Sequence, residues 1–203
     1  MSSFLGPIHN WLFNKIKFQD ELVQYIVGFI YKKDYQIPLL AQMDQRYGVL
    51  ETGELADIIN ESNIHGWLQE RITIVENRLA FLITMTTDEH PEIIMDINDA
   101  VYEFGKNHAV ENGISVKEAY GYLDNLLLNG MPCDGVNEIT NEDENSIAWV
   151  QTVDIHASYW QMIHGNVEYY YAIRESLVIG MLENSGISYQ HSGEQSFELR
   201  KEA

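Results

Sequence analysis

The chain has 203 residues, 45% of them hydrophobic, and sets 12 Lys+Arg against 31 Asp+Glu for a formal net charge of −19. A chain of that length and make-up can bury a substantial core, and nothing in it reads as low-complexity or disordered. No Lys or Arg lies between Arg78 and Lys106, or from Glu118 through Ile173. Nucleic acid and anionic membrane both require clustered cations and so are not expected partners, whereas a cationic partner, a metal or a neutral ligand is more easily accommodated.

The single cysteine, Cys133, excludes an intramolecular disulfide and any Cys-only metal site. Met1–Ile16 lacks the basic start, apolar core and small-residue cleavage site of a signal peptide. The most apolar stretch, Leu22–Tyr31, is bounded by Asp20-Glu21 and Lys32-Lys33 and is too short to span a bilayer. A cytoplasmic location is expected.

In chain order, Gly6-Pro7 opens a helix whose stripe Ile8, Leu12, Ile16, Val23, Ile26, Ile30 keeps a 3.6 period, with Gln19 its one gap. Asp34–Ile37 breaks it. Pro38 opens a second helix (Leu39, Leu40, Met43, Tyr47) ending at Gly48, and a short helix covers Leu55–Ile59. Asn63 is a good N-cap for a fourth, striped by Ile64, Leu68, Ile72, Val75, Leu79 and Leu82. His90-Pro91 starts the next, with Ile94, Ile97, Val101, Phe104 and His108 on one face and an end near Gly113. Ser115-Val116-Lys117-Glu118 is a capping box opening a helix toward Gly130.

After Gly130 the period changes. Strands are predicted over Val136–Thr140 and Ile147–Ile155, joined by the acidic turn Asn141–Ser146. A short helix follows over Ala157–His164, then a longer one over Asn166–Asn184 with Tyr170, Leu177, Val178, Met181 and Leu182 inward. Two final strands, Ile187–His191 and Ser196–Arg200, flank a turn at Ser192–Gln195. The fold class is therefore α+β: a mainly helical region, 1–130, and a small antiparallel sheet carrying one helix, 131–203, packed as one globular body.

The helical region says one thing twice. Ile8-His-Asn-Trp-Leu-Phe-Asn-Lys-Ile16 and Ile64-His-Gly-Trp-Leu-Gln-Glu-Arg-Ile72 match at an offset of 56, with Ile, His, Trp, Leu and Ile identical. Lys15/Arg71 and Asp20/Glu76 keep their character. Two related units, about 7–62 and 63–130, are expected. His9 and His65 sit in the first turns of their helices, where the dipole favours neutral imidazole, able to ligate a transition metal or accept a hydrogen bond. Related by a pseudo-twofold axis, they would converge on one site; as local braces they would lie apart, each bonded within its own unit, and that reading is slightly preferred. Trp11 and Trp67 read as core anchors before ligand platforms.

Other candidates lie downstream. His108 continues an apolar stripe and reads as a satisfied core residue. His156, Trp160 and His164 follow at i, i+4, i+8, a pocket edge if one helix carries all three. Tyr170 with Arg174 places a hydroxyl within one turn of a guanidinium, able to orient a carboxylate, although acidic partners inside the protein are the favoured reading. No phosphate loop, dinucleotide fingerprint or nucleophile elbow is present, and Cys133 has no local base.

From Ser146 onward a strand leads to a connection ending in Gly165, then a helix ending Gly180-Met181-Leu182, then a hairpin with Gly193 at its tip. This order resembles the tail of four-vinyl-reductase-type domains and, more loosely, of haem–nitric-oxide/oxygen-binding domains, over the C-terminal quarter of the chain. The resemblance implies a ligand pocket between helices and sheet. The first family's cysteines are missing, and where the second carries Tyr-x-Ser-x-Arg this chain reads Trp149-Val150-Gln151-Thr152-Val153, so the motif does not support haem. The expected function is binding of a small ligand or metal in a sensor-like protein. His9, Trp11, His65, Trp67, His156, Trp160, Tyr170 and Arg174 are the candidate ligand-binding residues, and His9 and His65 the candidate metal ligands. An enzyme using His9, His65 or His156 as base or ligand, and a non-catalytic interaction protein, are the alternatives. A homodimer is expected from the open sheet edges.

Overall fold

The computed structural model describes residues 5–33, 39–193 and 195–202. The expected break at Asp34–Ile37 and the expected start at Pro38 lie outside them. The helices are α1 (Pro7–Lys32), α2 (Leu39–Tyr47), α3 (Leu55–Ile58), α4 (Ile64–Glu89), α5 (Ile93–Lys106), α6 (Val116–Leu126), α7 (Ala157–Gln161) and α8 (Glu168–Met181). The strands are β1 (Asn137–Glu142), β2 (Ser146–Gln151), β3 (Ile187–His191) and β4 (Ser196–Lys201), paired antiparallel in the order β1-β2-β4-β3. The fold is α+β, helices first and sheet last. No helix of the described residues is long and apolar enough to cross a membrane.

The two 26-residue helices, α1 and α4, lie side by side and run parallel. His9 meets His65 near their starts, Phe13 meets Trp67 one turn on, and Asp20 meets Arg78 further along. Leu12, Phe13 and Ile16 of α1 and Ile64, Trp67, Leu68, Ile72 and Val75 of α4 close this end over Leu128 and Met131. Ile8 is an exception to the predicted stripe. It is 53% exposed, while His9 beside it in the same turn is buried. Helix α4 is the central helix and buries polar side chains as well, among them Glu76, Asn77, Arg78, Thr84, Thr86 and Thr87. A helix buried on nearly every face must satisfy such groups internally. Thr86 and Thr87 donate to carbonyls one turn back, and Arg78 pairs with Asp44 and the Gly48 carbonyl.

The second core runs without interruption from α1 and α4 through α5 and α8 to the inner face of the sheet, from Phe18 to Leu199. Helices α5 and α8 touch backbone to backbone. A Cβ on Gly180 would stand 2.2 Å from the Tyr102 carbonyl oxygen, and one on Gly105 2.4 Å from that of Leu177. Only glycine permits that approach.

Helix α6 ends at Leu126, short of Gly130, α8 spans Glu168–Met181 inside the predicted 166–184, and β1 runs on to Glu142; three other boundaries move for a visible local reason. Helix α5 stops at Lys106 instead of near Gly113, because the chain turns to pair Val110 N–H with the Met181 carbonyl; His108 is therefore beyond the helix. Strand β2 stops at Gln151 instead of Ile155, because Asp154 Oδ1 takes the N–H groups of His156 and Ala157 and turns the chain. Helix α7 stops at Gln161, where Gly165 N–H bonds back to the Trp160 carbonyl and His164 takes φ 58°. His156, Trp160 and His164 therefore do not share one helical face. Trp160 is fully buried, and His164 is exposed.

Candidate functional site

His9 and His65 lie with their Nε2 atoms 3.4 Å apart, so the reading that kept them apart as separate braces does not describe their placement. Gly6 N–H donates to His9 Nδ1 at 2.8 Å. That nitrogen must therefore be unprotonated, which puts the proton of a neutral His9 on Nε2 and makes it the donor to His65 Nε2. In this arrangement the two facing nitrogens, one carrying a proton and one a lone pair, are both used by one hydrogen bond. The flanking tryptophans repeat one device: Lys15 lies over the Trp11 ring and Arg71 over Trp67, each 3.9 Å from the centroid. Trp67 is buried in the core, while Trp11 is half-buried and donates its indole N–H to Asn125.

His156, at the start of α7, belongs to a different arrangement. Its Nδ1 faces both oxygens of Glu76 on α4 at 3.1 and 3.2 Å, and its Nε2 lies 2.9 Å from the Tyr170 hydroxyl on α8. Arg174 Nη1 donates to that hydroxyl at 2.7 Å. One set of protons satisfies every link: Arg174 donates to Tyr170, Tyr170 to His156, and His156 to Glu76. Glu76 and His156 are almost entirely buried, and burial holds the Tyr170 hydroxyl far above its usual range, so it stays protonated. Both imidazole nitrogens are engaged and neither meets solvent, so His156 as it stands is not an accessible base.

The chain of bonds ends at a hollow. Arg174 also donates to the Leu128 carbonyl at 3.2 Å and to Asn129 Oδ1 at 2.7 Å. A guanidinium has five N–H groups, and these three bonds leave two. Arg174 lines a space of about 20 Å³, room for one water, between α6 (Tyr120, Leu123, Asp124), α8 (Val178) and the aromatic inner face of the sheet (Trp149, Tyr189, Phe197). Trp149 stacks on Phe197, its partner in register across β2 and β4, and takes the Tyr120 ring edge-on.

A wider cleft of about 210 Å³ shares Tyr120, Asp124, Asn129 and Asn137 with that hollow and adds Trp11, Lys15 and the 130–136 segment. Lys15 Nζ stands 3.7 Å from Asp124 Oδ1, an ion pair too long for a good hydrogen bond, with the lysine side chain only 4% exposed. Burial, helped by the nearby Arg174 charge and opposed by Asp124, lowers its pKa to about 8. Asn137 Oδ1 is buried without a hydrogen-bond partner, an uncompensated acceptor in the wall common to both spaces.

Of the residues singled out in the sequence, the structure brings Trp11 and Arg174 to the cleft, with Tyr170 and His156 behind it as support. It places His9, His65 and Trp67 together between the starts of the two long helices and buries Trp160 elsewhere in the core. Arg174 does have an acidic counterpart, but Glu76 is reached through two intervening side chains. His108 is satisfied locally, with Nδ1 2.9 Å from the Phe104 carbonyl oxygen. Sequence reasoning missed Lys15, Glu76, Asp124, Tyr120, Asn129 and Asn137. Two of these carried a signal: Lys15 and Glu76 are charged residues matched in character at the offset of 56 and set among apolar stripe positions. Comparison with family models, curated proteins and solved structures finds no match to this chain.

Proposed function

We propose that the chain is a small-molecule-binding protein whose site is the cleft between α1, α6, the 129–137 segment and the sheet, continued inward by the hollow at Arg174. The observation that carries this reading is the concentration of uncommitted polar capacity in one concave place: two N–H groups on Arg174, a nearly buried amine on Lys15 and an unpartnered Asn137 oxygen, beside the rings of Trp11, Tyr120 and Trp149. Apolar walls with a few convergent polar groups are the usual make-up of small-ligand sites. The metal reading has less support. Among the described residues no group of three or more His, Cys, Asp or Glu is placed to hold an ion, and the His9 and His65 nitrogens that would serve already bond each other.

The reading is tested by thermal shift against a library of small polar aromatics, since a ligand for the native state raises the melting temperature by mass action. Stabilising compounds are expected to lose their effect in Asn137→Phe, which fills the shared wall from a strand position suited to an aromatic. Stabilisation that survives Asn137→Phe, or no stabilising compound at all, would overturn it.

A further inference from the structure

The chemistry of the cleft narrows the ligand class, an inference that rests on the binding reading above. The two spaces are lined by two cations, Lys15 and Arg174, and one anion, Asp124, whereas the chain as a whole carries −19. The charged groups lining the cleft therefore sum to one positive charge in a strongly negative protein, so an anion is attracted there and repelled by the rest of the surface. Neither cation is neutralised by a bonded carboxylate. Lys15 meets Asp124 only at 3.7 Å, and Arg174 bonds two neutral oxygens and a hydroxyl. The cost of keeping Lys15 charged there is visible in its lowered pKa, and a bound anion would relieve it. Asn137 Oδ1, by contrast, is an acceptor without a donor.

We infer that the site binds a small carboxylic acid that also bears a hydroxyl or amino group: the carboxylate bridges Lys15 Nζ and the free N–H groups of Arg174, the donor reaches Asn137 Oδ1, and the apolar part lies against Trp11 and Tyr120. The Glu76–His156–Tyr170 chain acts on this site as a positioning device. It holds the Arg174 guanidinium at the wall of the hollow through the Tyr170 hydroxyl, and it leaves the guanidinium's charge only remotely compensated.

The experiment is a tryptophan-fluorescence titration of the full chain with mandelate, its neutral amide mandelamide, and phenylacetate, which keeps the ring and acid but lacks the hydroxyl. Mandelate is expected to bind saturably, about tenfold or more tighter than mandelamide, and phenylacetate to fall between them. Lys15→Met is expected to erase the preference of acid over amide without weakening mandelamide. Arg174→Met should act the same way, and Lys15→Met keeps the test decisive should loss of Arg174 disturb the fold. Mandelate affinity should fall as pH rises through about 8, where free Lys15 loses its proton, and should be flat over that range in Lys15→Met. Equal binding of acid and amide in the wild-type protein would overturn the anionic assignment while leaving a ligand site in place. Binding by none of the three compounds would overturn the anionic assignment, and the library screen would then decide the ligand-site reading separately.

Discussion

At the outer end of α1 and α4, His9 and His65 use their facing nitrogens on each other, with the Gly6 N–H completing the set. In the interior, His156 uses its nitrogens on Glu76 and Tyr170, and the sequence of bonds continues to Arg174 at the cleft. The outer pair stands beside solvent, where one bond between the facing nitrogens links two parallel helices. The inner chain is open at one end, and that end retains hydrogen-bonding capacity beside the hollow. The contrast separates conspicuousness from capacity. The histidines that repetition makes prominent bond each other, and the group with unused donors lies where a buried polar chain meets a concave surface.

The comparison is broken most directly at Glu76. Glu76→Ala leaves His156 without its carboxylate and Arg174 without its distant counter-charge in a dry interior. The expected loss is about 3–5 kcal/mol in urea unfolding; a loss under about 1 kcal/mol would mean the chain of bonds does not form.

Lys15 sharpens it next. Its pKa of about 8 in the folded protein lies below the 10.5 of the free side chain, so between those values the unfolded chain binds more protons and stability rises with pH. At neutral pH both states are protonated and the folded state bears the full penalty, about 3 kcal/mol by the size of that shift. Lys15→Met removes the penalty. It is therefore expected to melt higher than wild type at pH 7, with the gap narrowing from pH 8 to 10.5 in paired melts, where the high-pH titration of tyrosines cancels. A gap that does not change with pH would contradict the burial of a charged amine.

The smallest effect belongs to the outer pair. His9→Ala removes a helix-start bond and the link to His65, for about 1–2 kcal/mol. His65→Ala removes the link alone and should cost about 1 kcal/mol or less. Because both delete the same contact, the double variant should match His9→Ala, and additive losses in the three melts would refute the shared bond.

The class of fold was legible because long stripes such as Ile64 to Leu82 and the switch to alternation after Val136 are local signals. Boundaries failed where a side chain or a distant backbone group intervened: Asp154 ended β2, and the Met181 carbonyl drew the chain out of α5 at His108. The site was legible only in part. Arg174 and Tyr170 stood out as an i, i+4 pair on one helix. Glu76 and Asn137 meet them from elements far away in sequence, and a single sequence carries no distance between such elements. The hidden signal lay in the match at an offset of 56, where Lys15/Arg71 and Asp20/Glu76 agree in character beside the more visible His and Trp.

The four tryptophans allow one measurement to decide between the two regions. Trp11 and Trp149 line the cleft and hollow, Trp67 packs against Phe13 beside the histidine pair, and Trp160 is sealed in the core. With the indole N–H signals assigned by single Trp→Phe replacements, a two-dimensional nitrogen–proton spectrum recorded with and without saturating mandelate reads all four at once. A ligand seated between Lys15 and Arg174 shifts the Trp11 and Trp149 signals and leaves Trp67 and Trp160 in place. A shift of Trp67 with Trp149 unmoved would place binding at the outer helix ends and contradict the account.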